Sequence, residues 1–420
     1  MVFGRQRFAG VLGLVALAGA VTAGVGACGG GGSGGPSSPG GGGSSGNLSQ
    51  RPKPAVGLFD TGRVHEVSLM ISDDDWQSII ADSRGDEWRH ATATYDGVTL
   101  EDVGVRPAGE SSRFPGNQKM SIRIKFDAFA GGGKFGGYSD VNVKGEYDDQ
   151  SMMRERLALG VFAALMPAPQ AAHTTLTVNG ASRGLFTLRE DWDSTSIAAH
   201  FSPPFGPLYR VRGALPPADP YAYVNDDPAS YVPLPWERHI KDTARGDEVL
   251  PPFLKALPDY SQFETFVDVN DLLAYLAAAE LVMTTDGLIG GSGASDHFQY
   301  FDPQSGKFFV LPWDPDNTFG SQGEMPTKSI SSKLERNALT LVVLDRSDLR
   351  SAFHAKITEA MAAIPVSAVQ AQADMIYNQI KDAAHADTIK AFSNDSFDWS
   401  LTDVKTFTAA RYANLQTQLQ

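Results

Sequence analysis

The apolar positions of this chain fall into two regimes. Up to about residue 211 they mostly alternate with polar ones, as in half-buried strands; beyond about 272 they recur mainly at helical spacing, apart from two strands near residue 300. Residues 64–71 read as a strand. Ser72 follows as the cap of a short helix with Asp73, Asp74 and Asp75 in its first turn and Trp76, Ile79 and Ile80 on one face. Residues 91–95 and 98–105 flank Asp96-Gly97 and predict a hairpin with a type I′ turn; residues 174–178 and 183–188 do the same around Asn179-Gly180. Between the hairpins, residues 121–126 alternate, with Ile122, Ile124 and Phe126 on one face and Ser121, Arg123 and Lys125 on the other. Ser151 is placed to cap a helix to about Leu165, stopped by Pro167. Residues 208–211 read as a short strand. Residues 213–260, rich in Pro, Asp and Tyr, read as a long irregular insertion, a lid or a partner surface. Residues 272–283 are apolar nearly all round, which predicts a central helix. Strands at 297–301 and 307–311 follow, then helices at roughly 347–363, 366–384 and 402–418. Strands first and mostly helix afterwards is an α+β order.

The 307–311 strand runs into Trp313-Asp314-Pro315-Asp316-Asn317-Thr318-Phe319-Gly320. Two carboxylates thus leave a strand end two residues apart, and such oxygens are hard ligands suited to Mg²⁺ or Ca²⁺. Asp286 follows the apolar helix at the mouth of a Gly-rich loop, and Asp296 opens the preceding strand. These four acids are expected to converge on one metal–phosphate site. A solvated acidic turn is the alternative for Asp314 and Asp316.

The chain has 420 residues and a net charge of −14, which argues against a basic nucleic-acid interface but leaves room for a locally basic pocket. Residues 1–27 carry Arg5 and Arg7 ahead of an apolar Ala/Gly-rich run, the pattern of a secretory signal. The run ends Val25-Gly26-Ala27-Cys28, which resembles a bacterial lipobox and implies cleavage before Cys28 and lipid on it. Cys28 is the single cysteine, so no internal disulfide can form. Residues 28–50, mostly Gly, Ser and Pro, read as a flexible tether. The expected organisation is a signal at 1–27, a tether at 28–50, one domain at 51–345 and its helical extension at 346–420. The body would lie outside the cytoplasm, touching membrane only through the lipid. No GxxxxGK[ST], HExxH or CxxC string is present.

Several pieces, in order, resemble the CotH kinase family. They are Val103-Gly104-Val105-Arg106 with Gly109 and Ser111-Ser112; Lys119 with residues 122–126; residues 151–157 with Arg154; Val178-Asn179-Gly180 to Leu185 and Glu190; Leu208-Tyr209-Arg210; and Asp286 through the Trp313-Asp314-x-Asp316 string to Gly320. The resemblance spans about residues 60–320. It implies a highly diverged protein-kinase-like fold, ATP with Mg²⁺ (or Mn²⁺) as donor system, and Ser/Thr-bearing surface or coat proteins as acceptors. It further implies Asp286 as the catalytic aspartate and Asp314 with Asp316 as metal ligands, with Asp296 standing where relatives often have Asn. The loop at Gly109, Ser111 and Ser112 and the nearby Lys119 would form the nucleotide side.

Phosphoryl transfer needs held phosphates, neutralised charge and an oriented hydroxyl. Arg106, Lys119 and Lys125 are the candidate phosphate cations, and Glu155 could pair with such a lysine. Each is equally readable as a charge on a wet face. Two other functions fit the same residues: a catalytically inactive structural or assembly factor of an envelope or spore coat, and a surface adhesin or glycan-binding module.

Overall fold

The computed structural model describes residues 57–420 except 82–84, 110–111, 130–132, 213–218, 241–242 and 292. The expected signal, the tether and Cys28 lie outside the described residues. The fold mixes helix and sheet, as the residue pattern predicts.

The first part is a closed seven-stranded barrel, which the pattern alone does not specify. Its strands are β1 (Val64–Ile71), β2 (Arg89–Tyr95), β3 (Val98–Pro107), β4 (Ile122–Lys125), β5 (Asp140–Lys144), β6 (Ala171–Val178) and β7 (Ala181–Arg189). Helix α1 (Asp73–Ala81) follows β1, and α2 (Arg154–Ala163) lies between β5 and β6. The order around the barrel is β1-β2-β3-β4-β5-β7-β6, closed by parallel pairing of β1 with β6. Both hairpins form as expected: φ is 46° and 82° at Asp96-Gly97 and 51° and 78° at Asn179-Gly180, the two positive values a type I′ turn requires. Alternation sends Val105, Ile122, Ile124, Val141, Val143 and Leu188 into the barrel core. Helix α2 starts later than expected. Its first N–H groups, at Met153 and Arg154, are met by the Asp149 carboxylate rather than by Ser151 alone.

Helix α3 (Ser194–His200) leads to a second sheet of β8 (Leu208–Val211), β9 (Trp236–Arg238), β10 (His297–Asp302) and β11 (Lys307–Pro312), in the order β11-β10-β8-β9. The expectation of an irregular insertion at 213–260 is corrected here. That stretch supplies β9 and α4 (Leu250–Ala256). It also buries Tyr221, Tyr231 and Trp236 fully, with Trp236 edge-on to Tyr221 at 5.3 Å and to Phe253 at 6.0 Å. A short α5 (Phe263–Phe266) precedes α6 (Val269–Val282). Helix α6 is central, packed against α2, β11 and two helices of the tail, Ser347–Ala363 and Asn394–Gln418.

The tail is helical: α7 (Ala338–Asp345), α8 (Ser347–Ala363), α9 (Val366–Ala386) and α10 (Asn394–Gln418). Arg411 of α10 reaches the Glu280 carboxylate and carbonyl on α6, deep in the core. No described helix is long and apolar enough to cross a membrane.

His173 on β6 ties the barrel to α2. Its Nε2–H donates to the Met152 carbonyl at 2.7 Å, and Nδ1 accepts from Arg156 at 2.9 Å. Burial first, then the Arg156 charge, lower its pKa to about 3. The folded state therefore binds fewer protons than the unfolded chain below the ordinary histidine value of about 6.5. This contribution is present above pH 6.5 and is lost as pH falls toward 3, by about 1.4 kcal/mol per unit. Urea unfolding between pH 7 and 4 should show a shallower acid loss for His173→Gln than for wild type. Parallel slopes would contradict a neutral, buried His173.

Candidate active site

The site is set by strand register. Arg106 of β3 stands opposite Arg123 of β4, Arg123 opposite Asn142 of β5, and Asn142 opposite Arg189 of β7. Neighbours in sequence point to the other face of a strand, so Val105, Ile124, Val141 and Leu188 fill the barrel while this row faces outward. The second sheet presents a matching row, with Glu237 opposite Arg210 and Arg210 opposite Phe298. A cleft of about 360 Å³ is lined by both rows, by Gly109, Arg113, Asp191, Arg212, His239 and by Trp313 and Asp314 at the end of β11.

Lys144 lies two residues beyond Asn142 on the same face of β5. Its ammonium is 2.9 Å from Asp316, 3.3 Å from Glu155 of α2, and in direct contact with Asp314. Arg189 joins the group, pairing with Glu155 and, at 2.6 Å, with Asp314, while its guanidinium covers the Trp313 ring at 3.7 Å. Three carboxylates from two elements thus share two cations from two barrel strands. Each contact is worth roughly 5–6 kcal/mol at an effective dielectric near 20, before desolvation is subtracted.

The electrostatics split the acid pair. Burial acts to raise the Asp314 carboxyl, but Lys144 and Arg189 more than offset it and hold it below the usual range. Asp316 is pushed up to about 7, by burial first and then by Asp314 and Glu155, against the pull of Lys144. For Lys144, the charges of Asp314, Asp316 and Glu155 outweigh the burial that acts to lower it, and its pKa is raised. Asp286 is raised by burial and by the charges of Asp296 and Asp314; the Asn317 amide, which donates to its Oδ2 at 2.7 Å, opposes this. The loop after α6 is stitched to the loop after β11 by Thr285 N–H to Asn317 O at 2.9 Å and Phe319 N–H to Val282 O at 2.8 Å.

The expected residues therefore separate. Asp314 and Asp316 come together, and Asp286 is anchored beside them through Asn317. Asp296 lies near enough for its charge to act on Asp286, and it is paired at 2.8 Å with Arg210 of the cleft. Arg106 and Gly109 line the cleft. Ser112 packs with its Oγ 3.1 Å from where a Gly109 Cβ would stand, at a φ of +81° that favours glycine. Ser111 is outside the described residues. Lys125 sits by Asp127 at 3.6 Å and does not line the cleft. Lys119 does not face the cleft either. It is 2 % exposed, sealed against Asp387 at 2.9 Å and the Leu185 carbonyl. The lysine that meets Glu155 is Lys144, which no sequence signal singled out. Arg123, Asn142 and Arg189 were not marked as site residues, and their signal is period-two alternation on paired strands; Arg210 was marked only as part of the Leu208-Tyr209-Arg210 resemblance.

Asp314 and Asp316 suit a divalent cation that keeps other ligands from phosphate, since Mg²⁺ is often held by one or two carboxylates. Among the described residues no group of three or more His, Cys, Asp or Glu is arranged to hold a metal unaided.

The sequence model for the CotH kinase protein matches residues 105–415. The chain belongs to the CotH kinase protein family. The CotH match takes in the whole Lys144 cluster, Asp286 and the helical tail. Inner spore coat protein H of Bacillus subtilis (strain 168) is 23 % identical over 286 residues, 63 % of this chain and 74 % of that protein. Among solved structures, a Helicobacter pylori proinflammatory kinase, CtkA, aligns with a TM-score of 0.30 and 10 % identity, covering 66 % of this chain and 91 % of the other.

Lys144→Met leaves buried Glu155 and Asp314 with Arg189 alone, and Asp316 without a cation. Loss of one partner of a buried pair costs about 3–5 kcal/mol. Urea unfolding should show a loss of that order, with partial recovery in Lys144→Met/Glu155→Gln. A loss below about 0.5 kcal/mol would mean that the cluster contributes no net stability.

Proposed function

We propose that this CotH-family chain is an exported, lipid-anchored atypical protein kinase that transfers the γ-phosphate of ATP to Ser or Thr of surface or coat proteins. The observation that carries the reading is Lys144. One ammonium is held by a helix glutamate and by the acid pair at a strand end, beside an arginine-lined cleft. Membership of the family supports it. In this reading the barrel with α2 and the helical remainder are the two halves of a diverged kinase fold, and Cys28 carries the lipid. Mass spectrometry of the mature protein from its native host tests that anchor, and an unmodified Cys28 would rule it out.

The reaction moves one phosphoryl group: Ser–OH plus ATP gives Ser–O–phosphate, ADP and a proton. Arg106, Arg123 and Arg189 hold and orient phosphate oxygens, a task suited to the planar guanidinium fork. Lys144, fixed by Glu155, supplies a point charge next to them. Asp314 and Asp316 would hold Mg²⁺ or Mn²⁺, which when bound neutralises phosphate charge. Asp286, its carboxylate oriented by Asn317, orients the acceptor hydroxyl and takes its proton; a raised pKa suits that role.

A second reading is favoured by one observation. Asp314 already accepts both Lys144 and Arg189, and Asp296 accepts Arg210, so the chain's own cations can do a metal's neutralising work. The protein would then be an inactive scaffold of an envelope or coat. Phosphate incorporation from labelled ATP into a Ser-rich acceptor separates the two. With transfer, Asp286→Asn should keep Mg-ATP binding and lose about 10²- to 10⁴-fold in rate. Asp314→Asn should weaken both binding and transfer. Wild-type protein that binds Mg-ATP and labels nothing supports the scaffold; unchanged transfer in Asp286→Asn removes that residue from the chemistry.

A further inference from the structure

The cleft is unusual for a nucleotide site in what it offers and what it withholds. Six arginines line it, Arg106, Arg113, Arg123, Arg189, Arg210 and Arg212, against four carboxylates, in a chain whose net charge is −14. Each arginine is also held by a carboxylate, Asp86 for Arg106 and Arg113, Asp140 and Asp191 for Arg123, Glu155 and Asp314 for Arg189, Asp296 for Arg210 and Glu237 for Arg212, so the lining presents guanidinium groups fixed in place rather than an excess of positive charge. The row Arg106–Arg123–Asn142–Arg189 crosses four adjacent strands, and strands lie about 4.8 Å apart, so its end positions are roughly 14 Å apart. That length suits a chain of phosphates rather than one.

The row is also unfinished. Asn142 is 8 % exposed and, among the described residues, its Nδ2 has no hydrogen-bond partner; Arg106 Nε and Arg189 Nε are likewise buried and unmatched there, while their terminal nitrogens are paired with Asp86 and Asp314. A buried donor left unpaired is destabilising, and an anionic ligand oxygen would pair it. Burial first, and then the charges of Arg123 and Arg113, lower the pKa of Arg106, the sign of crowding that an anion relieves.

Aromatic stacking, the common means of holding a base, is already used internally. The Trp313 face is covered by Arg189 at 3.7 Å. Phe298 makes edge contacts with His239 at 5.0 Å and Trp313 at 5.2 Å. These are the lining aromatics among the described residues, and neither ring is left without such a partner.

We infer that the cleft recognises a linear polyphosphate chain through the side chains of this four-strand row and reads no nucleobase, so that inorganic polyphosphate and nucleoside triphosphates of any base are equivalent ligands. The inference rests on the reading of this cleft as the phosphate-donor site. Asn142 serves it as the central neutral donor between guanidinium groups.

The test is isothermal titration of the described domain's full chain with ATP, GTP, inorganic tripolyphosphate and adenosine, each with Mg²⁺. ATP, GTP and tripolyphosphate should bind with dissociation constants within about threefold, weakening together as salt rises, and adenosine should give no heat. Asn142→Asp places a carboxylate in the row and should weaken all three at least tenfold. Arg106→Gln, at the half-exposed end of the row, provides a second variant should the first fold poorly, and should weaken all three in parallel. ATP binding more than tenfold tighter than tripolyphosphate, or adenosine competing with ATP, would overturn the inference and leave the kinase reading standing. Equal polyphosphate binding with no phosphate transfer would uphold the inference and remove the kinase reading. Absence of binding by ATP and tripolyphosphate alike would overturn both.

Discussion

One ammonium group constrains most of this structure. Lys144 must be at the end of β5, α2 must bring Glu155 to it, and β11 must end where Asp314 and Asp316 reach the same nitrogen. Three buried or half-buried carboxylates cannot be left together without a cation, because the repulsion and desolvation would exceed what packing supplies. The barrel, the central helices and the second sheet are therefore positioned relative to each other by a charge requirement as well as by apolar burial. The same requirement makes the place chemically useful, since a cation that balances acids can be re-partnered by phosphate.

Lys119 shows what a buried lysine looks like when it has only a structural job. Its ammonium contacts Asp387, whose carboxylate also receives the Leu185 N–H, beside Gly184 of β7, where any Cβ would collide with that carboxylate. Nothing there opens to a cleft. The contrast with Lys144, which is 13 % exposed at its side chain and shares three acids, is the difference between a latch and a site.

Much of the fold was legible because local rules carried it. Asp96-Gly97 and Asn179-Gly180 specified hairpins by turn chemistry, and residues 272–283 specified a central helix by being apolar all round. The Asp314-x-Asp316 pair was legible as two acids leaving one strand end, and the fold brings both onto Lys144. What escaped notice depends on pairing that sequence does not display. Strand β5 is five residues, Asp-Val-Asn-Val-Lys, with two apolar positions, and its outward face becomes a site only when β4 and β7 flank it. Arg123 read only as a polar-face position of residues 121–126, and strand pairing sets Arg106 and Asn142 beside it. Lys119 was misplaced because its partner lies 268 residues away. The 213–260 stretch was misread by its Pro and Asp content, although Tyr221, Tyr231 and Trp236 were the sign of a core.

In the kinase reading Lys144 keeps the acid pair's company in the free protein and turns to phosphate when the donor binds, keeping Glu155. A crystal structure of the complex with Mg²⁺ and a non-hydrolysable ATP analogue is the decisive test. The Lys144 ammonium should then bond to phosphate oxygen and to Glu155, with Asp314 and Asp316 on the metal. Nucleotide bound elsewhere, with Lys144 still on Asp314 and Asp316, would contradict it.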